Sequence, residues 1–416
     1  MTRAGTLDVR RVSGAELPAW VEANRTGFHQ HAREGEVAAR RQSVDLGRTW
    51  AAFDGDRIVG TLRSFATELT VPGGDALPAA ALTNVSVAPT HRRRGLLTRM
   101  LTADLAAAAG RGEALGILIA SEYPIYGRYG YGPAADEVTY TIDARHATLA
   151  VPAGDDATGL RVELADPKAA RDEAAAVYDR ARLRQPGAIA RDELWWDRMA
   201  GLAPRPGHED EEPAFWALAR DRASAVTGYV LYRVEQVWEE RLLPRGALEV
   251  IDLTALDPET TARLWRYCLE ADLISTVRAY RGPDDPLRWL LADARDVRRS
   301  AHVDHLWVRV LDTPRALAAR RYLASGRVVL QVEDPLGHAA GVFALEGGPD
   351  GAACVPTREE PELTLPVGAL GSAYLGGVSL LLLATAGQVT ERRAGALATA
   401  DAMFRSPVTP WCSTWF

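Results

Sequence analysis

Residues Val85 to Met100 read Val-Ser-Val-Ala-Pro-Thr-His-Arg-Arg-Arg-Gly-Leu-Leu-Thr-Arg-Met. Val85 and Val87 alternate as a strand requires and Pro89 stops the run. Gly95 opens a stretch whose apolar Leu97, Leu101 and Leu105 recur every four residues on one helical face. A strand that passes into a helix through arginine and glycine presents backbone N–H groups and the positive end of the helix dipole at the junction. The spacing therefore predicts an anion site of the kind that holds a pyrophosphate. Three consecutive arginines also suit a solvated basic face or a nucleic-acid patch. The formal net charge of −7 gives no field for a polynucleotide, which argues against a nucleic-acid partner.

The 416 residues are enough for two to four domains, and 47% hydrophobic with 25% charged residues is the balance of a soluble globular chain. Met1 to Gly14 lacks an apolar run behind a basic start, which predicts no secretory leader. The most apolar stretch, Tyr374 to Ala386, contains Gly376 and Gly377 and is too short for a hydrocarbon core of about 30 Å, so no membrane span is expected. Cys268, Cys354 and Cys412 are scattered and odd in number, as reduced cytoplasmic thiols are.

Three segments follow from the patterning, with limits at 1–150, 151–300 and 301–416. The first predicts a helix near Glu16 to Arg25, a hairpin turning at Asp54-Gly55-Asp56, and strands at Thr61 to Leu69 and Leu82 to Val87. A helix from Gly95 to Ala109 ended by Gly110 and a buried strand from Leu115 to Ala120 complete it. This is an α+β layout. Val151 to Gly159 reads as a linker. The second segment repeats the layout, with helices at Lys168 to Arg184 and Pro258 to Glu270 and strands at Phe215 to Asp221, Ala225 to Val234, Leu248 to Leu253 and Ile274 to Ala279. It has no arginine-glycine loop before its second helix. Trp195-Trp196 reads as core aromatic and Glu209 to Glu212 as a solvated loop. The third segment predicts helices at Pro314 to Tyr322, Val367 to Tyr374 and Gly395 to Phe404, with strands at Arg327 to Glu333, Ala340 to Leu345 and Glu362 to Leu365. His302 and His305 lack further ligands at usable spacing, so no metal site is expected.

Two other stretches carry chemistry. Ser121 to Pro133, Ser-Glu-Tyr-Pro-Ile-Tyr-Gly-Arg-Tyr-Gly-Tyr-Gly-Pro, spaces Tyr123, Tyr126 and Tyr129 three apart, on one side of a turn. They form either a packed aromatic turn or a phenol, pKa about 10, placed to protonate a thiolate leaving group. The chain ends Trp411-Cys412-Ser413-Thr414-Trp415-Phe416. Burying Trp and Phe removes about 150–250 Å² each from water, so this end is expected to dock. Docking serves either as an anchor or as a means of holding the terminal carboxylate where desolvation makes it a base.

Arg92-Arg93-Arg94-Gly95-Leu96-Leu97 resembles the Arg/Gln-x-x-Gly-x-Gly/Ala signature of the GCN5-related N-acetyltransferase (GNAT) superfamily, departing from it at Leu97. Together with the tyrosine turn, the C-terminal Phe and the three-segment order, the chain resembles the enhanced intracellular survival (Eis) family of N-acetyltransferases throughout. The resemblance implies tandem GNAT-type domains, the second without cofactor grip, followed by a sterol-carrier-protein-2-like α/β domain. It implies acetyl-CoA contacts from Val85, Ser86, Val87, Arg93, Arg94, Gly95, Leu96, Leu97, Thr98, Ser121 and Glu122. It implies Tyr126 as general acid, the Phe416 carboxylate as general base, and a homohexamer built as a trimer of dimers. The family acetylates several amines of one aminoglycoside. The acidic balance suits such a polycation, with Asp401 as ammonium partner and Phe28 and Glu36 as substrate-facing candidates. Two other readings of function are a protein-lysine acetyltransferase and a lipid or sterol carrier with a relic acetyltransferase domain.

Overall fold

The computed structural model describes residues 7–150, 159–208, 211–239 and 243–416. The predicted linker at 151–159 lies outside these except for Gly159, as do Glu209 and Asp210 of the acidic run. Two compact units result. One joins the residues up to Ala135 to His305–Val408 and Trp415–Phe416; the other comprises Asp136–Asp304 and Thr409–Thr414.

In the first unit β1 (Leu7–Arg11), β2 (Thr49–Asp54), β3 (Arg57–Thr70) and β4 (Ala76–Val87) are antiparallel in that order, and β5 (Leu115–Ile119) joins β4 in parallel. The hairpin between β2 and β3 turns at Gly55, as its Asp-Gly sequence predicts. Leu306 to Val310 closes antiparallel onto β5. Side chains alternate across this sheet, so two helices find apolar surface on its two faces. From α1 (Leu17–Gly27), Trp20 and Val21 pack with Ala51, Phe53 and Ile58. From α3 (Leu96–Gly110), Leu96, Met100, Leu101 and Leu105 pack with Ala52, Leu62, Ala80, Leu82 and Leu118. Each fully buried leucine stabilises the fold by about 1.5–3 kcal/mol. The buried stripe of α3 is thus centred on Leu96 and Leu101, leaving Leu97 only half-buried. Gly110 is the last helical residue, and the left-handed turn after it falls at Gly112.

The rest of this unit is a five-stranded sheet ordered Gly351–Pro356, Gly341–Gly348, Gly326–Glu333, Leu363–Pro366, Thr390–Glu391. The first and last of these strands and the helix Leu380–Thr385 lie outside the elements expected from sequence; the predicted elements are present within a few residues, the helix at 314–322 shortened to Thr313–Ala319. Arg320 is fully buried and donates to the carbonyls of Tyr374 and Phe404. These are the last residues of the helices Val367–Tyr374 and Ala396–Phe404. One guanidinium therefore meets the negative ends of two helix dipoles and satisfies carbonyls that the helices leave unpaired.

The second unit pairs Arg161–Ala165, Phe215–Arg220, Val226–Glu235 and Gly246–Ala255 antiparallel, then Ile274–Arg281 parallel to the last, with Val138–Asp143 beyond it. Its helices Pro167–Arg182 and Pro258–Leu269 both start Asp-Pro, with Asp166 and Asp257 accepting from N–H groups of the first turn. Trp196 is core, as expected, but Trp195 stacks on the buried Arg191, 3.8 Å from its guanidinium carbon. Arg191 pairs with Asp252 (2.6 Å) and donates to Thr414 Oγ1 (2.9 Å) and Ser413 Oγ (3.0 Å), which fastens the segment Thr409–Thr414. Glu211 and Glu212 are exposed, as expected of a solvated loop, and Glu211 pairs with Arg205 and Arg233. His302 bonds Asp136, and all three cysteines are buried thiols. Among the described residues no helix is long and apolar enough to cross a membrane.

Candidate active site

The parallel pairing of β4 and β5 runs from Ala79↔Leu115 to Leu82↔Leu118 and ends there, while β4 continues to Val87 beside β3. The gap so opened is the root of the site. On its β4 side Thr61 faces Ser86 and Arg63 faces Thr83, so one residue of β3 opposes two of β4, Asn84 and Val85. This is a β-bulge, and Asn84 sits in it at φ +53°. A bulge takes a backbone N–H out of the ladder and re-aims it. Sequence reading placed Val85 to Val87 here from strand alternation but missed the bulge. A β-strand asparagine before an alternating Val-Ser-Val was the available signal, since Asn tolerates the left-handed region.

Below the gap, Pro89 to Gly95 form the loop that enters α3. Arg93 (φ +62°) and Gly95 (φ +74°) are left-handed, and Gly95 is the N-cap residue. No side chain caps this helix and its first turn holds no acid, so its N–H groups and dipole are open to a ligand. In the second unit the corresponding strand-to-helix junction carries Asp257, whose carboxylate accepts from Thr260 N–H (2.8 Å), with Glu259 in the first turn. That helix start already holds its anion. His91 Nε2 lies 3.1 Å from Asp54 Oδ2 and ties the loop to the β2–β3 hairpin.

Across the gap, β5 leads into α4 (Tyr123–Tyr126). The three tyrosines do not share one environment: Tyr126 and Tyr129 are buried, whereas Tyr123 is 61% exposed. Tyr129 Oη lies 2.9 Å from Thr98 Oγ1 on α3. Burial, and then the charge of Glu122 and the neighbouring Tyr129, push the Tyr126 phenol up to about 12. It is a firmly protonated donor.

These parts line one cleft of about 680 Å³. Of the residues singled out in the sequence, Val85, Ser86, Val87, Arg93, Gly95, Leu96, Leu97, Thr98, Ser121, Glu122, Tyr126 and Phe28 line it. Gly27, His29, His91, Arg92, Ile125, Arg128 and Tyr129 line it as well, beyond the residues expected from sequence. Arg94 is exposed and outside the lining; its guanidinium turns back to the Thr90 carbonyl (3.3 Å). Glu36 is buried in an ion pair with Arg25 (2.7 Å) and Arg40 (3.5 Å), so its charge braces α2 (Glu36–Arg41) and does not face the cleft. Asp401 is likewise engaged. Its Oδ1 accepts from Ser379 Oγ (2.7 Å) and Leu381 N–H, and its Oδ2 from Arg405 (3.1 Å). Burial opposes its charge, but those bonds outweigh it and hold its pKa below the usual carboxylate value. The geometry does not offer it to an ammonium. Phe416 is partly buried, its ring edge-on to Phe65 at 5.5 Å, and it too lies outside the cleft lining. Trp415, expected to be buried, is 69% exposed, with His305 at 5.4 Å between ring centres. The end is fastened through Cys412 and Thr414 instead, which are buried.

Comparison with known proteins supplies the remaining findings. Residues 8–134 and 187–323 each match an acetyltransferase (GNAT) domain family, and residues 313–413 match a sterol carrier protein domain family. An uncharacterized N-acetyltransferase of Streptomyces griseus is 43% identical over 411 residues, 98% of this chain and 99% of the relative. The N-acetyltransferase Eis of Mycobacterium tuberculosis is 36% identical over 362 residues, 86% of this chain and 85% of the relative. The crystal structure of Eis1 from Mycobacterium abscessus superposes with a TM-score of 0.85 at 33% identity, covering 98% of this chain and all of that one.

Proposed function

Since the chain belongs to the Eis family of N-acetyltransferases, we propose that it transfers the acetyl group of acetyl-CoA to primary amines of aminoglycoside-like polyamines. The observation that carries this reading is the cleft that brings an uncapped helix start, a strand bulge and a protonated phenol together. In it the N–H groups at Arg93 to Thr98 would take the pyrophosphate. The Val85 N–H would stabilise the oxyanion that develops when the amine attacks the thioester carbonyl. As the C–S bond breaks, Tyr126 would give its proton to the departing thiolate. The proton lost by the amine would pass by way of water to the carboxylate of Phe416, a residue outside the cleft lining whose ring packs edge-on to Phe65 of β3. Phe28, on the acceptor side of the cleft, would pack against the amine's carbon skeleton.

The same reading places the enzyme in the cytoplasm, consistent with three buried free thiols, and assembles it as a trimer of dimers. It keeps the three domain limits at 1–150, 151–300 and 301–416. The test is release of free thiol from acetyl-CoA in the presence of aminoglycosides, diamines and polyamines, or lysine peptides, with sedimentation for the assembly. Saturable turnover with aminoglycosides, and products acetylated at more than one amine, is the expected result. Turnover confined to lysine peptides would overturn the substrate class, and tight acetyl-CoA binding without turnover on any amine would overturn the chemistry.

A further inference from the structure

The bulge at Asn84 is held by a closed set of hydrogen bonds, buried where Asn24, Thr61 and Ser86 meet and part-buried where they reach Asn84. Asn24, on α1 and fully inside the protein, donates from Nδ2 to Thr61 Oγ1 (3.0 Å) and to the Asn84 carbonyl (3.1 Å). Thr61 Oγ1 donates to the same carbonyl at 2.9 Å. Its single proton being spent there, the 2.8 Å contact between Thr61 Oγ1 and Ser86 Oγ has Ser86 as donor. The Asn84 side chain completes the set. Its Nδ2 donates to Asn24 Oδ1 (3.3 Å) and its Oδ1 accepts from Arg63 Nε (2.8 Å) and Arg40 (3.4 Å). A polar network with its members paired and its centre buried is rigid, because its bonds strengthen one another at low dielectric.

The consequence for the cleft is geometric. A trans peptide is planar, with its C=O and N–H pointing in opposite directions. The Asn84 carbonyl is drawn by two donors toward β3 and α1, so the Val85 N–H of the same peptide must point the other way. That is the side from which β5 has withdrawn after Leu118, and Val85 lines the cleft there. Without the two donors the peptide could rotate, and its carbonyl would then present a partial negative charge to any developing oxyanion.

We infer that Asn24 and Thr61 are positioning residues that aim the Val85 N–H at the acetyl thioester carbonyl. The inference rests on the acetyl-transfer reading above and deepens it. Asn24 also stands one helical turn before Phe28, and Gly27 approaches Ser86 so closely that a Cβ would collide with its side chain. The same network therefore sets the acceptor-side wall and the thioester-side donor in one rigid piece.

The experiment uses the full-length enzyme and acetyl-CoA labelled with 13C at the thioester carbonyl, bound without acceptor. Infrared difference spectra report the strength of the hydrogen bond to that carbonyl. In the wild type the bound carbonyl stretch should lie below that of free acetyl-CoA. Thr61→Val keeps the β-branched shape and removes the hydroxyl; Thr61→Ser keeps the hydroxyl. Thr61→Val should return the stretch toward the free value and lower kcat by about 10- to 100-fold, short of the 10²–10³ lost when an oxyanion donor is deleted outright. Acetyl-CoA affinity should stay within about threefold, and Thr61→Ser should recover both stretch and kcat. Asn24→Leu, which removes the second donor, should behave like Thr61→Val. A loss of kcat with the wild-type stretch retained, or a wild-type stretch equal to that of free acetyl-CoA, would overturn the inference. Absence of acetyl-CoA binding to the wild type would instead overturn the acetyl-transfer reading. Matching thermal melts of the three variants and wild type exclude loss of fold, and Thr61→Ser serves as the folded reference if either of the others melts early.

Discussion

Replacing Gly95 separates two properties that the loop combines. Its φ of +74° lies where a Cβ meets the following carbonyl, a cost of about 1–2 kcal/mol for a non-glycine residue. No protein atom lies within 4 Å of where that Cβ would stand, so the protein itself does not clash with it. Gly95 lines the cleft, where on the proposed reading a bound pyrophosphate would come close to the backbone. Gly95→Val should therefore lose about 1–2 kcal/mol of stability from strain, a fall in Tm of a few degrees at most in a chain of this size. Acetyl-CoA affinity should fall by well over tenfold. Gly95→Asn distinguishes the causes, because Asn tolerates the left-handed region yet still carries a Cβ. It should melt near wild type and still bind acetyl-CoA at least about tenfold more weakly, a difference of about 1.4 kcal/mol. Calorimetric titration and thermal melts measure both. If Gly95→Val or Gly95→Asn binds acetyl-CoA with wild-type affinity, the helix start is not where the cofactor's phosphates sit.

Tyr126→Phe should lower kcat by about 10²–10⁴ with acetyl-CoA affinity nearly unchanged; near-normal turnover would move the role to Tyr129 or water. Because burial holds its phenol at about 12, it stays protonated through pH 11, so the wild-type rate should not fall on the alkaline side before that pH through this group. A rate lost between pH 8 and 10 in an otherwise stable enzyme would count against Tyr126 as the acid. Adding one Gly after Phe416 displaces the terminal charge by a few ångströms while leaving the ring free to pack on Phe65. Since a misplacement of about 1 Å can cost 10²-fold, turnover should drop at least that far with unchanged Tm and acetyl-CoA affinity, and a wild-type kcat would make the carboxylate a bystander. Asp401→Asn should lower stability by about 1 kcal/mol by loosening Ser379, the N-cap of Leu380–Thr385. KM for the amine should not change; a rise in KM without a change in Tm would restore Asp401 as a substrate ligand.

The legible half of the site was the half built from neighbours in sequence. The passage from Val87 through Pro89 and Gly95 into α3 is encoded by Pro, Gly and a helical apolar period, all acting within a few residues. The same holds for Asp-Pro helix starts and for the Asp-Gly hairpin. Charge was a poorer guide. Asp401 and Glu36 looked available to a cationic substrate because sequence shows an acid but not its partner. Ser379 and Arg405, and Arg25 and Arg40, had already taken those carboxylates.

By itself, then, the sequence determined the order of elements, the open helix start at Gly95 and its acid-capped counterpart at Asp257, since backbone propensity and capping are local. Tertiary structure alone decided what holds the bulge in place. Asn24 meets Asn84 across 60 positions, and Thr61 meets Ser86 across 25. No propensity of either residue announces such a pairing. It also decided that Tyr126 is buried while Tyr123 is exposed, and so which phenol is shifted to about 12. Burial and long-range hydrogen bonding depend on which surfaces the packed elements bring together, and that is a property of the assembled fold rather than of any stretch of chain.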